Sequence, residues 1–199
     1  MNHIIEIIED GDWPHLTDIV RIQEELAIGK EMIESGERIA ERGLLISGYT
    51  RDELAEHINA GGVLFAAFDP RQESYVGYLL ATNPNYFSPK YNGAKVWWNS
   101  KDIRAVYEPI IKNNDYVYLD QLGLFFDHHG TGVASRMMDE FEKVNRGKTV
   151  ITLIMSEPID NIRSRAFILK HGYETVCEIL FPKYGTIENF RGHLFVKEL

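Results

Sequence analysis

The chain has 199 residues, a formal charge of −9, 44% hydrophobic and 12% aromatic residues, and one cysteine, Cys177. A chain of this size builds one sizeable core, and its apolar fraction excludes wholesale disorder. The acidic excess disfavours a general nucleic-acid binder, and a lone cysteine excludes a disulfide framework or a cysteine-rich zinc module. No apolar run approaches the roughly 20 residues that span a bilayer. Residues 1–6 lack the basic start and greasy stretch of a secretory signal, so no membrane partner and a cytoplasmic location are expected. The acidity is concentrated in residues 1–99, while 100–199 are close to neutral, which makes the second half the better place for an anionic ligand.

Residues 3–8 alternate and read as a first strand. After a turn-like segment, Leu16, Ile19, Val20, Ile22, Leu26 and Ile28 recur at helical spacing, and the polar stretch 30–42 reads as more helix. Thr50-Arg51-Asp52-Glu53 is a capping box that opens a short helix with Leu54, Ala55 and Ile58, ending at Gly61-Gly62. Segments 63–68 and 75–81 are apolar strands flanking a turn, hence a hairpin. Residues 84–115 break the rhythm. They are loop-like to Gly93, aperiodic at Trp97-Trp98, and then helical from a Ser100 cap through Ile103, Val106, Tyr107, Ile110 and Ile111. A connection of this length is usually functional or an independent flap.

Residues 116–126 form a strong strand, 127–132 a turn, and the next segment a helix with Val133, Met137, Phe141 and Val144 on one face. A buried strand over 149–155 follows, then a helix opened by 158–161 and carrying Ala166, Phe167 and Leu169 to Gly172. Strands near 173–181 and 192–198 complete a mixed sheet in an α/β arrangement.

The segment with chemical content is the strand, turn and helix over 119–138. Gly130, Gly132 and Ala134 allow close approach of a ligand to the backbone, and the first helical turn presents N–H groups without intrahelical partners. With the helix dipole these form a site for phosphate or pyrophosphate, to which His129 can add a donor. A glycine-eased turn with no ligand fits this segment equally well. A P-loop is disfavoured because no lysine follows Gly132, and a dinucleotide fingerprint because only two glycines lie in the turn.

His129-Gly130-Thr131-Gly132-Val133-Ala134 resembles the Gln/Arg-x-x-Gly-x-Gly/Ala signature of the GNAT superfamily of acyl-CoA-dependent N-acyltransferases, with His129 in place of the usual Gln or Arg. Downstream, Asn161-Ile162-Arg163-Ser164 and Gly172-Tyr173 stand in register with the family's Asn-x-x-Ala and Gly-Phe. The resemblance covers about 3–83 and 116–198. It implies a single GNAT-like domain over 1–199 with an aromatic-rich insertion at about 84–115. The implied fold is α/β (α+β), a mixed, mostly antiparallel twisted sheet flanked by helices, whose central strands 116–126 and 149–155 splay apart.

The resemblance further implies acetyl-CoA as co-substrate and no metal. The pantetheine arm would enter the gap and bond the backbone of Leu122, Gly123 and Leu124, with Gly123 as a bulge. The pyrophosphate would meet His129 and the amides of Gly130, Thr131, Gly132, Val133, Ala134 and Ser135. Asn161 and Ser164 would orient the arm, and Lys143, Arg163, Arg165 or Lys170 would meet the adenosine-side phosphates. Asp120 stands where many relatives carry a carboxylate and is the candidate base for a protonated amine, its apolar surroundings favouring a raised pKa. His128 and Glu157 are held in reserve. Many relatives use a tyrosine at the position of Ile168 to protonate the thiolate, so Tyr173, Tyr118 or water would have to substitute here. Cys177 reads as a small buried hydrophobe.

The acceptor, an amine of a small molecule or peptide, would be chosen by the N-terminal helices and the insertion. Tyr86, Phe87, Tyr91, Trp97, Trp98 and Tyr107 suit a flap, a cation-binding surface, core packing or a homodimer contact, and Glu24, Glu25, Glu31 and Glu34 suit an amine or a solvated helix face. The leading expectation is direct acetyl transfer in a ternary complex. The competing one is a CoA or acyl-CoA sensor or scaffold without catalysis, kept in play by Ile168 and His129.

Overall fold

The computed structural model of the chain describes residues 3–27, 45, 48–87, 93–184 and 187–199. In chain order the elements are β1 (Ile4–Ile8), α1 (Leu16–Leu26), α2 (Arg51–Asn59), β2 (Val63–Asp69), β3 (Ser74–Thr82), β4 (Lys95–Trp98), α3 (Lys101–Lys112), β5 (Val117–Leu124), α4 (Val133–Val144), β6 (Thr149–Glu157), α5 (Ile162–Lys170), β7 (Glu174–Tyr184) and β8 (Ile187–Glu198). Their contacts fall into two units. The first takes its described residues from 3–27, 45, 48–83 and 119–146, the second from 84–87, 93–118, 147–184 and 187–199.

In the first unit β1, β2 and β3 form an antiparallel array and β5 follows β3. Strand β2 is buried on both faces, as continuous apolar strands are when helices cover each side. Leu16, Ile19 and Ile22 of α1 are fully buried with Leu54 and Ile58 of α2 against Leu64, Ala66, Tyr78 and Leu80. Truncating Ile19 to alanine there costs about 2–5 kcal/mol. Helix α2 starts at the expected capping box, in which Thr50 accepts from the Glu53 N–H and Glu53 reaches back to the Thr50 N–H. On the other face of β2, Phe65 meets Phe141 of α4 edge-on at 5.9 Å. The buried stripe of α4 is Val133, Met137, Met138 and Phe141. Val144 is 45% exposed, so Met138 takes the core place expected for it. Helix α1 ends at Leu26 because Ala27 turns extended and bridges Leu45. The helix expected over 30–42, with Ile28, Glu31 and Glu34, lies outside the described residues.

In the second unit β8 pairs antiparallel with both β6 and β7, and β7 pairs with β4. The expected strands at 173–181 and 192–198 are one long hairpin whose pairing continues to Tyr184 and Ile187. The insertion differs from an independent flap. Lys95–Trp98 pairs with β7, Trp98 opposite Cys177, and Phe87 is buried in a stack on Tyr118. A strand of four residues is too short to show a period, and its partner lies far along the chain, so this part was invisible in sequence. Helix α3 keeps its Ser100 cap, but among its apolar residues Ile111 is buried while Val106 is 51% exposed. In α5 the buried residue is Ile168, whereas Ala166 and Leu169 face solvent. The β5–β6 ladder is parallel and consists of Val117–Val150 and Tyr118–Ile151.

Candidate active site

Strand β5 ends at Leu124, and the Phe125 N–H closes the pairing by donating to Val76 O at 2.9 Å. A 3-10 turn over Phe126–His128 then reverses the chain. Gly130 and Gly132 have φ of +76° and +85°, values that L side chains rarely adopt, so glycine is required at both by the backbone. A Cβ at either position would meet nothing within 4 Å. Gly132 is the N-cap of α4 and has no capping side chain, and its carbonyl accepts the Arg136 N–H. The N–H groups of Val133, Ala134 and Ser135 therefore precede the first intrahelical bond of α4.

His129 and Thr131 brace this turn from inside. His129 Nε2 lies 3.0 Å from Leu124 O, and a carbonyl can only accept, so Nε2 carries the proton and donates inward. The expected side-chain donor to a phosphate is thus spent on the strand end, and the ring tilts against Phe126. Thr131 Oγ1 likewise donates to His128 O at 2.6 Å. At the glycines the turn presents main chain outward, while the Phe126 and Asp127 side chains just ahead of them are also exposed.

Asp120 is half-buried on β5, and its Oδ2 accepts the phenol of Tyr49 at 2.6 Å. The Tyr49 ring packs on His57 at 4.3 Å, and its backbone N–H donates to Gln23 Oε1. Next along β5, Gln121 Oε1 accepts the Tyr78 phenol at 2.7 Å. Burial raises the Tyr78 pKa well above its ordinary value, and the Asp120 charge adds to the shift. Gln23, Tyr49 and His57 escaped sequence reading. Tyr49 sits just ahead of the capping box, and nothing in its spacing links it to Asp120. Gly123 is required for a reason other than a ligand, since a Cβ there would stand 2.4 Å from Cε1 of Tyr78.

Several of the other candidates are partnered within their own units. Asn161 is buried and caps α5 by accepting the Ser164 N–H at 3.3 Å. Arg165 pairs with Asp160 at 2.8 Å and Lys143 with Glu140 at 3.3 Å. Glu157 pairs with Arg191 at 3.1 Å. His128 is buried beside His3, its Nδ1 3.3 Å from His3 Nε2. Tyr173 is buried under the Lys197 ammonium and Tyr118 under Phe87. Burial pushes the Cys177 thiol up to about 12, which leaves it protonated and a poor nucleophile at neutral pH. Glu24 and Glu25 are exposed on α1, as on any solvated helix face. Trp97 is 48% exposed with the Arg191 guanidinium 5.8 Å from its ring centre, and Tyr107 is partly buried. Tyr91 and the Tyr86 side chain lie outside what is described. No described helix is long and apolar enough to cross a membrane.

No protein-family model matches the sequence, and no curated protein matches it. Solved structures do match. Arabidopsis thaliana NAA60 in complex with acetyl-CoA superposes with a TM-score of 0.61 at 15% identity, covering 98% of this chain and 100% of that one. Arabidopsis thaliana Naa50 in complex with the bisubstrate analogue CoA-Ac-MVNAL gives 0.59 at 13%, covering 98% and 99%. The PaiA N-acetyltransferase from Thermoplasma acidophilum in complex with coenzyme A gives 0.56 at 14%, covering 98% and 99%. With its mostly antiparallel sheet of eight strands, its five described helices and the glycine turn ahead of α4, the chain has the fold of the GNAT N-acetyltransferases.

Proposed function

We propose that the protein transfers the acetyl group of acetyl-CoA to the amine of a small molecule or peptide by direct attack. The observation that carries the reading is the turn ahead of α4. Two glycines in left-handed conformation face open space, side-chain donors are turned inward, and main-chain N–H groups of a helix N-terminus are left for an anion. The amides of Gly130, Gly132, Val133 and Ala134 hold the pyrophosphate, while the Thr131 N–H already donates to His128 O at 3.4 Å. Backbone groups of Leu122, Gly123 and Leu124 at the end of β5 bond the pantetheine arm. Solved neighbours of the same fold carry acetyl-CoA, coenzyme A or a CoA–peptide analogue, and this supports the co-substrate and an amine acceptor.

Asp120 takes the proton that the ammonium form of the acceptor must lose before its nitrogen attacks the thioester carbonyl. Tyr49 holds the carboxylate through its phenolic O–H and is thereby a positioning residue. Ile168 is buried and offers no proton to the departing thiolate, which leaves well unaided.

The test is turnover of acetyl-CoA with a panel of small amines and peptides, alongside calorimetric titration with acetyl-CoA and ATP. Asp120→Asn is expected to lower kcat by about 10²–10⁴-fold with acetyl-CoA affinity retained. Tyr49→Phe is expected to give a smaller loss and to move the pH–rate profile. Native turnover by Asp120→Asn removes the base assignment. Tight CoA binding without turnover on any acceptor favours the sensor reading, which the buried Ile168 supports, and displacement of CoA by ATP points to a nucleotide site.

A further inference from the structure

His3 at the head of β1, Asp69 at the end of β2 and His128 in the turn after β5 are distant in sequence and meet in the first unit, each at most 5% exposed. Their ligand atoms all lie within 4.8 Å of one another, the one such group of His, Cys, Asp and Glu among the described residues. His3 Nε2 is 3.3 Å from His128 Nδ1 and 3.7 Å from Asp69 Oδ2. A tetrahedral ion with bonds of about 2.0–2.1 Å holds its ligands about 3.3–3.4 Å apart. The first spacing matches that edge, the second needs a shift of a few tenths of an ångström, and the third, between Asp69 and His128, lies within 4.8 Å and closes by a larger movement of the carboxylate. A hydrogen bond between the two imidazoles explains only the first spacing, because 3.7 Å is too long for a bond from His3 to the carboxylate.

We infer that His3 Nε2, His128 Nδ1 and Asp69 Oδ2 form a binding site for a divalent transition metal ion of the zinc class, with one coordination position left for water. Two imidazoles and one carboxylate suit such an ion, whereas magnesium and calcium require oxygen donors. One outer partner is at hand. The Gln72 carboxamide meets His128 Nε2 through its nitrogen at 3.3 Å, and turning the amide over brings its oxygen there to accept the Nε2–H that a metal on Nδ1 requires. His3 Nδ1 is buried without such a partner. Asp69 Oδ1 is held by the Arg71 backbone N–H at 3.0 Å, so the carboxylate stays oriented when Oδ2 turns to the metal. The Arg71 guanidinium now occupies both carboxylate oxygens, Nε on Oδ1 at 3.2 Å and Nη2 on Oδ2 at 2.9 Å, but that side chain is 61% exposed and can withdraw. Arg136 Nη2 anchors the start of β1 through His3 O at 2.7 Å. The two nearby guanidinium groups oppose a cation and hold the affinity below that of a closed four-ligand site. The ion would tie β1 and β2 to the turn that leads into Gly130 and Gly132.

The experiment uses the full chain stripped with EDTA and titrated with Co²⁺ alone, then with Zn²⁺ in competition. Expected are the intense visible bands of tetrahedral Co²⁺ saturating at one equivalent, their loss on adding Zn²⁺, and a higher melting temperature with Zn²⁺. His3→Gln and His128→Gln are each expected to weaken binding at least tenfold and abolish the thermal shift, with unchanged far-ultraviolet circular dichroism. His15→Gln, at an exposed histidine paired with Asp18, leaves both readouts as in the native chain. If His128→Gln does not fold, the His3 variant decides. Absence of a one-equivalent tetrahedral signal in the native chain, or its survival in the folded variants, overturns the assignment.

Discussion

Replacing Gly132 by alanine separates the two reasons for a glycine at the head of α4. Its φ of +85° makes any Cβ costly, yet the added methyl would touch nothing within 4 Å. The stability loss is then the left-handed backbone penalty alone, about 1–2 kcal/mol. For a chain of 199 residues this lowers Tm by about 2–8 °C. Gly147 and Gly61 provide matched controls, with φ of +79° and +92° and equally open surroundings. All three alanine variants should lose similar stability in thermal or urea unfolding. Gly132→Ala alone should also lose acetyl-CoA affinity, by at least tenfold (about 1.4 kcal/mol), because its methyl stands where a phosphate approaches the amides. Titration calorimetry at a temperature where every variant is folded reads the second effect. Native affinity in Gly132→Ala, or an equal loss in Gly147→Ala, refutes the phosphate reading and leaves the glycine a purely conformational role.

Two further outcomes follow from the first unit. The Arg71 side chain and backbone N–H hold the Asp69 carboxyl at about 2 rather than 3.8, so its contribution to stability is complete above about pH 4 and lost as pH falls toward 2. In EDTA-stripped protein, Asp69→Asn should flatten the acid limb of Tm between those values, and an unchanged limb would show that other carboxylates govern it. Gly123→Ala should cost about 1–3 kcal/mol through collision with the Tyr78 ring. Combining it with Tyr78→Leu should recover part of that loss, whereas strictly additive unfolding energies would remove the steric explanation.

Much of this protein was legible in one dimension because the signals were local. Thr50 and Glu53 are three residues apart and form the capping box they spell. Ile19 and Ile22 sit one helical turn apart and face the same core. Gly130 and Gly132 share one turn and both adopt the conformation that glycine alone accepts readily. Periodicity and turn chemistry act over a few residues, so these elements and the glycine turn could be read directly.

What only the tertiary structure decided depends on pairs that no spacing connects. Trp98 finds Cys177 and makes a strand of a segment without a period. Tyr49 reaches Asp120. His3, Asp69 and His128 meet because β1 pairs with β2 and the turn after β5 returns beside them. The physical reason is common to all three. The chemistry of a side chain is set by what stands within a few ångströms of it, and for these residues the neighbour is fixed by strand register, which depends on the whole sheet.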